Sequence, residues 1–447
     1  MNFPFPKNFL FGAASSACQI ESGCFEGGKG EDVHQHYYTL RPDRYVDADP
    51  EKSADFYHRY RDDILDMKEL GLKAFRFSIS WSRIYPEGPT RVEQAGIDYY
   101  NDMINALKEA GIVAFFDLYH CDLPYWVIEM GGAANPEFID WFVAYAKTCF
   151  EAFGDRVEYW STVNEPITNI TNAYAHAATA PFLKDMGLAM KATHNMLLAH
   201  YKTIKLYKSM GFSGKIGAVN HLVPPYTVSN SPEDRAAAER WAATYYDLWM
   251  EPMLLGHYPE VLFEDPLYAD NLPKNAQQEL AENFEDVDFI GANIYGGYFV
   301  GYSKNQPLQC TVVSDTRYPK DAYNFSVYPQ AVMDVLLELH QKYPGKHIII
   351  TENGISKKKW GNLEEERKDE YRIDFMREQL REVSRAISLG IPVDGYFHWS
   401  IMDTNEIYVR GYDHIFGLRQ VDFETKERFR RDSWYYYQRV IADGAVD

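Results

Sequence analysis

The 447-residue sequence is poor in cysteine, has no long apolar run and is short of positive charge, and each shortage excludes a class of protein. Its five cysteines (Cys18, Cys24, Cys121, Cys149 and Cys310) are odd in number and scattered. They read as reduced thiols of a cytoplasmic protein, not as a disulfide frame. No apolar stretch approaches the ~18–20 residues that a bilayer span requires, and the N-terminus lacks the basic-then-apolar layout of a signal peptide. Lysine and arginine number 45 against 65 aspartates and glutamates, a net charge of −20. Nucleic acid and anionic membranes both call for a positive field, so neither is expected as a partner. No P-loop, His-Glu-x-x-His or Cys-x-x-Cys spacing is present, and neither a metal nor a cofactor is expected. His34-Gln35-His36 offers two imidazoles but reads as a polar loop. Internal repeats, low-complexity tracts and Gly/Ser linkers are also missing, so residues 1–447 are expected to form a single domain.

What is there is apolar material for one large core, 46% of the chain, laid out in a recurring pattern. A short β-rich apolar run is followed each time by a helix-period segment. The runs are 9–14, 73–79, 112–119, 157–163, 215–221, 287–293, 347–351 and 394–400, eight in all. One helical segment carries Phe56, Tyr60, Ile64, Met67 and Leu70 before Gly71 ends it; another carries Tyr100, Ile104 and Leu107 and stops at Gly111. Strands buried on both faces and separated by helices pair in parallel through right-handed crossovers. Eight such units closing on themselves make an α/β fold of the (β/α)8, or TIM barrel, type, with its chemistry at the C-terminal ends of the strands. A doubly wound sheet is the competing arrangement, but no Gly-x-Gly-x-x-Gly follows the first strand.

The strand ends are polar and aromatic. The first leads to Gln19 and Glu21, the second contains Arg76 and leads to Trp81, and the third ends in His120. The fourth ends in Asn164-Glu165-Pro166, the sixth in Asn293-Ile294-Tyr295 and the seventh in Glu352-Asn353-Gly354; the eighth carries Trp399, with Asp403 and Glu406 beyond it. Each has an ordinary explanation. Asn-Glu-Pro can be a strand exit, Asn-Gly a turn, His120 a core histidine and Arg76 a structural ion pair. Their joint placement is harder to reach by chance. Two carboxylates at barrel strand ends, Glu165 and Glu352, are what glycosidic cleavage requires: one protonates the leaving oxygen and the other captures the oxocarbenium-like carbon. At ~5–5.5 Å apart they would serve a retaining, double-displacement route.

These residues resemble glycoside hydrolase family 1, the β-glucosidase type, nearly end to end. The similar blocks are Phe9-Leu-Phe-Gly-Ala-Ala-Ser-Ser-Ala-Cys-Gln19-Ile-Glu21, Phe75-Arg-Phe-Ser-Ile-Ser-Trp-Ser-Arg-Ile84, Thr162-Val-Asn-Glu-Pro166, Ile350-Thr-Glu-Asn-Gly354 and Gly395-Tyr-Phe-His-Trp-Ser400. Phe416-Gly-Leu and Val421-Asp-Phe423 follow the last. The resemblance implies a cofactor-free retaining β-glycosidase that acts on β-glucoside-like glycosides or oligosaccharides through a covalent glycosyl-enzyme. By it, Glu165 is the general acid and then base, and Glu352 the nucleophile. Asn164 holds the 2-hydroxyl, Gln19, His120 and Glu406 bind glycone hydroxyls, and Trp399 stacks under the ring. Arg76, Asn293 and Tyr295 orient Glu352 and keep it ionised, with Tyr295 also facing the substrate. Association into a homo-oligomer is left open.

The departures fall on the glycone pocket. The family's aromatic residue after the third-strand histidine is Cys121 here; its Glu-Trp pair is Glu406-Ile407; its early Trp-Asp region is Asp32-Val33-His34-Gln35; and its arginine before Phe-Gly-Leu is Ile415. Ile407 lacks an indole N–H that would serve a sugar hydroxyl, a loss worth about 0.5–1.5 kcal/mol. A roomier pocket beside O3 and O4 is therefore expected, with poor turnover of plain β-glucosides. A glycone altered at C3 or C4 is one alternative, and a uronate served by Tyr408, Arg410 and Arg419 another. A sugar-binding barrel with little hydrolysis is a third. Glu406 would repel a 6-phosphate. The polar, tyrosine-rich segment 301–330 is expected on the aglycone side of the mouth.

Overall fold

The computed structural model describes residues 3–46, 48–313, 318–407 and 411–447. All eight apolar runs are strands: β1 (Leu10–Ala14), β2 (Ala74–Ser78), β3 (Val113–Tyr119), β4 (Tyr159–Asn164), β5 (Lys215–His221), β6 (Phe289–Asn293), β7 (His347–Asn353) and β8 (Val393–Trp399). Each pairs in parallel with its sequence neighbour, and β8 pairs with β1 to close the barrel. A helix covers the outside after each strand: α1 (Phe56–Leu70), α2 (Gln94–Ala110), α3 (Phe138–Phe153), α4 (Met186–Ser209), α5 (Ala276–Asn283), α6 (Gln330–Lys342), α7 (Glu370–Ser388) and α8 (Asp432–Asp443). The expected (β/α)8 barrel is the fold.

Local signals account for these elements. On α1, Phe56, Ile64, Met67 and Leu70 are buried, and Gly71 ends the helix at φ 84°, its N–H capping the Met67 and Lys68 carbonyls. Gly111 ends α2 in the same way at φ 74°. The strand bounds fall within two residues of the sequence reading, with β7 running on two residues through Glu352 to Asn353.

The barrel interior is a plug, not a pore. Phe115, Phe289 and Phe397 meet edge to face at 5.5 and 5.7 Å between centroids, with Val219 and Ile349 in the same cluster. Two strand glycines make room for these rings: a Cβ on Gly12 would stand 2.4 Å from the Phe397 ring, and one on Gly217 2.5 Å from that of Phe289. The Arg76 guanidinium lies 5.7 Å from the Phe115 centroid, so the plug is the floor on which the polar site rests.

Segment 301–330 is only partly a loop. It finishes the strand Tyr298–Tyr302 and supplies the antiparallel strand Cys310–Val313 on one side of it, while Pro225–Thr227 pairs in parallel on the other side and completes a small sheet. Residues 318–329 then return toward the barrel mouth, where Ser326 bridges to Gly297.

Candidate active site

Glu352, near the end of β7, is 4% exposed. Its Oε1 accepts from Arg76 Nη1 at 2.6 Å and its Oε2 from the Tyr295 hydroxyl at 2.7 Å. Arg76 is wholly buried on β2 and serves a second carboxylate, with Nη2 2.7 Å from Asp117 Oδ2. One guanidinium therefore faces two buried acids, and they respond differently. Burial works against the charge of Asp117, but Arg76, His120 and the Ser161 hydroxyl together hold its carboxyl below the usual range. For Glu352 burial wins. It pushes the carboxyl above the usual range despite Arg76, and the charge of Glu165 pushes it the same way.

Glu165 follows the last residue of β4 with a left-handed φ of 43°, a conformation that costs a non-glycine residue and is held here from both sides. Its N–H donates to Val219 O on β5 (3.1 Å), and its carbonyl accepts from Thr168 and Asn169 (2.9 and 3.3 Å). The second pair opens a π-helical turn, Ile167–Thr171, that carries Asn169 back over the site. Asn293, expected to orient Glu352, serves the other glutamate instead: its Nδ2 donates to Glu165 Oε1 at 2.8 Å, while its Oδ1 accepts from the Thr351 hydroxyl. Asn293 Nδ2 also reaches Asn164 Oδ1 (3.0 Å), and that oxygen accepts from Arg76 Nη2 (2.7 Å). A continuous chain of hydrogen bonds thus joins the two glutamates through Asn293, Asn164 and Arg76. With its oxygen taken twice, the Asn164 amide is fixed in one orientation, its Nδ2 3.3 Å from His120 Nε2. His120 Nδ1 faces Asp117 (3.3 Å), and the His120 ring lies parallel to Trp399 at 5.6 Å.

On the far wall, Gln19 Oε1 accepts from Ser16 (2.6 Å), and its Nε2 donates to Asn405 O and Glu406 Oε1 (3.2 and 3.4 Å). Glu406 also accepts from the hydroxyls of Thr404 and Tyr323, and burial pushes its carboxyl up. Glu165, Glu352, Gln19, His120, Asn164, Tyr295, Trp399 and Glu406 all line one pocket of about 320 Å³ at the C-terminal end of the barrel. Arg76 and Asn293 are wholly buried among these residues, outside the lining.

Other strand-end residues do not reach the pocket. Glu21 binds Arg83 (2.7 Å), Trp81 is core, and Asp403 forms a buried two-pronged pair with Arg431 (2.8 Å on both arms). The cysteine reading needs correction. Cys18 and Cys121, 103 positions apart and each just beyond a strand end (β1 and β3), are joined in a disulfide; Cys24, Cys149 and Cys310 are free. His34 turns to Cys121 O and the Tyr45 hydroxyl, and His36 to Glu31, so that motif does not converge. Among the described residues the one group with metal-like spacing is Cys18, Cys121 and Asp122, and two of its members are that disulfide. Tyr408 and Arg410 lie outside the described residues, while Arg419 is engaged by Asp63 and Asp66 (2.7 and 3.3 Å).

Several pocket residues escaped the sequence reading. His221 ends β5, where the strand-end rule could have found it. Thr168, Asn169 and Tyr245 sit on π-helical turns without a local signal, and Tyr323 and Phe325 on the return of segment 301–330, where composition marked the segment but not these residues.

A family model described as "Glycosyl hydrolase family 1" matches residues 1–445. The 1,4-β-D-glucan glucohydrolase of Thermotoga neapolitana is 36% identical over 446 residues, covering 99% of both chains. The β-glucosidase A of Thermotoga maritima is 35% identical over 447 residues with the same coverage. Among solved structures, a family 1 β-glucosidase from Thermotoga maritima superposes with a TM-score of 0.95 at 34% identity over the whole of both chains. The Thermotoga maritima family 1 glycoside hydrolase complexed with a cyclophellitol analogue transition state mimic gives 0.94 at 33%, again over both chains.

Proposed function

The chain belongs to glycosyl hydrolase family 1, as a retaining glycoside hydrolase of the β-glucosidase type acting on O-glycosidic bonds, and on that premise we propose that Glu352 is its nucleophile, Glu165 its acid and base, and its glycone pocket an altered one. The observation that carries the roles is the hydrogen-bonded chain between the two carboxylates around one pocket.

Glu352 attacks the anomeric carbon while Glu165 protonates the departing oxygen; Glu165 then takes a proton from the water that releases the sugar. Arg76 and Tyr295 aim the Glu352 carboxylate and favour its charged form against burial. Asn293 steadies Glu165. The fixed Asn164 amide presents its N–H side to the sugar's 2-hydroxyl, and Trp399 offers an apolar face to the ring.

The altered side is the wall at Cys121, which lines the pocket, with Ile407 packed against the same cluster outside the lining. Both pack into an apolar cluster with Tyr45 and Ala48, against which Phe182 closes, and neither offers the N–H of an indole. A hydroxyl at C3 or C4 that would meet such a donor finds none here, so plain β-glucosides are poor substrates and glycones modified at those carbons lose less. Kinetics on a panel of nitrophenyl β-glycosides tests this. The expected result is a kcat/KM for the glucoside below that of at least one C3- or C4-altered glycone. A glucoside preferred over every such glycone would overturn the altered-pocket reading.

A further inference from the structure

We infer that Tyr323 is a specificity-determining residue of the glycone pocket: its phenol donates to the Glu406 carboxylate and thereby sets how much that carboxylate rewards a sugar hydroxyl. The inference rests on the glycone pocket proposed above and extends it to a residue that no strand end carries.

Glu406 is 5% exposed and already well supplied with donors. Its Oε1 accepts from the Thr404 hydroxyl and Gln19 Nε2, and its Oε2 from the Tyr323 hydroxyl. Tyr323 is held in place. Its ring lies against Phe416 (5.6 Å between centroids), edge to face with His414 (5.4 Å) and parallel to Phe325 (6.4 Å). The backbone beneath it is clamped by Asp321, which accepts from the Phe325 N–H and the Ser356 hydroxyl, both at 2.9 Å. Tyr323 itself lines the pocket, so the phenol meets Glu406 where a glycone must sit.

Bonds to a buried carboxylate are the strong ones, roughly twice a neutral pair, and the first donor to an oxygen gains most. In the free protein Tyr323 has taken that place on Oε2. A glycone hydroxyl that approaches gains only the increment of a second donor, or must displace the phenol. Without the phenol, the same hydroxyl would supply the donor the buried carboxylate had lost, beside those of Thr404, Gln19 and Trp399. Tyr323 therefore makes the pocket less demanding of hydroxyls remote from the anomeric carbon, on C3, C4 and C6. That is the tolerance required to accept β-glycosides whose glycone lacks or substitutes one of these hydroxyls.

The test compares kcat/KM of the native protein and of Tyr323→Phe on 4-nitrophenyl β-D-glucoside and on its 3-, 4- and 6-deoxy analogues. For at least one position the ratio of parent to deoxy substrate should rise about tenfold in Tyr323→Phe, equivalent to about 1.4 kcal/mol. The ratio is taken on one preparation, so a smaller folded fraction cancels, and a merely structural role would lower all four rates together. All three ratios within about twofold of native would overturn the inference alone. A native protein that turns over none of the four would overturn the pocket reading and the inference with it.

Discussion

At the scale of single residues, the site is a contest between burial and a few placed charges. Glu352 must be ionised to attack, and it becomes protonated as pH falls. Burial and the Glu165 charge raise its pKa, with Arg76 opposing. The acid limb of kcat/KM is therefore expected above the ordinary glutamate value of about 4.3. Glu165→Gln removes one of the two raising influences, so the limb should move to lower pH. A pH profile of both proteins on a substrate with a good leaving group measures this, since such a substrate needs little help from the acid. A limb that stays or moves upward contradicts the arrangement. At this scale the sequence was informative where a side chain ends a strand. Glu165, Glu352, His120 and Asn164 were all legible because the barrel rule gives strand ends a common direction. It was silent where partners come from afar. Tyr323 owes its position to Phe416 and His414, some ninety residues on, and the Cys18–Cys121 bridge spans 103 positions.

At the scale of elements, the strands and their helices follow from local pattern, whereas the loops that shape the pocket do not. The stretch after β8 shows why. Residues 400–407 bring Glu406 to the pocket, but they are held from outside it by Arg431, just before α8. Arg431 binds both oxygens of Asp403 and the Gly417 carbonyl (2.7 Å), while Asp403 also accepts from the Gly417 and Val421 N–H groups (3.1 and 3.3 Å). Asp403 stood out in the sequence as one more strand-end acid, and nothing local marked it as a clamp. Arg431→Ala should leave a buried carboxylate without its partner, at about 3–5 kcal/mol of stability. Urea unfolding of the two proteins measures the loss; under about 1 kcal/mol would mean the pair does not hold the loop. Segment 301–330 makes the same point. Its composition pointed to the aglycone side of the mouth; Tyr323 and Phe325 line the pocket with Tyr323 meeting Glu406, and its strand Cys310–Val313 depends on a partner across a turn.

At the scale of the whole molecule, eight parallel strands around an aromatic plug raise one polar site above an apolar floor. Every strand-end carboxylate that matters is answered by a residue from another strand: Glu352 by Arg76 of β2, and Glu165 by Asn293 of β6. The barrel thus brings together groups that the chain separates by more than 120 positions, and no single segment could build the site. Among the described residues no helix is long and apolar enough to cross a membrane, and the net charge of −20 disfavours anionic partners as a class. The division of labour between two glutamates on one anomeric carbon is the claim on which the rest stands. It is tested most directly by incubating the protein with a 2,4-dinitrophenyl 2-deoxy-2-fluoro-β-glycoside and mapping the product by peptide mass spectrometry, using the glycone that the substrate panel ranks highest. One sugar per chain, attached at Glu352, is the expected result, whereas attachment at Glu165 or at any other residue would contradict it.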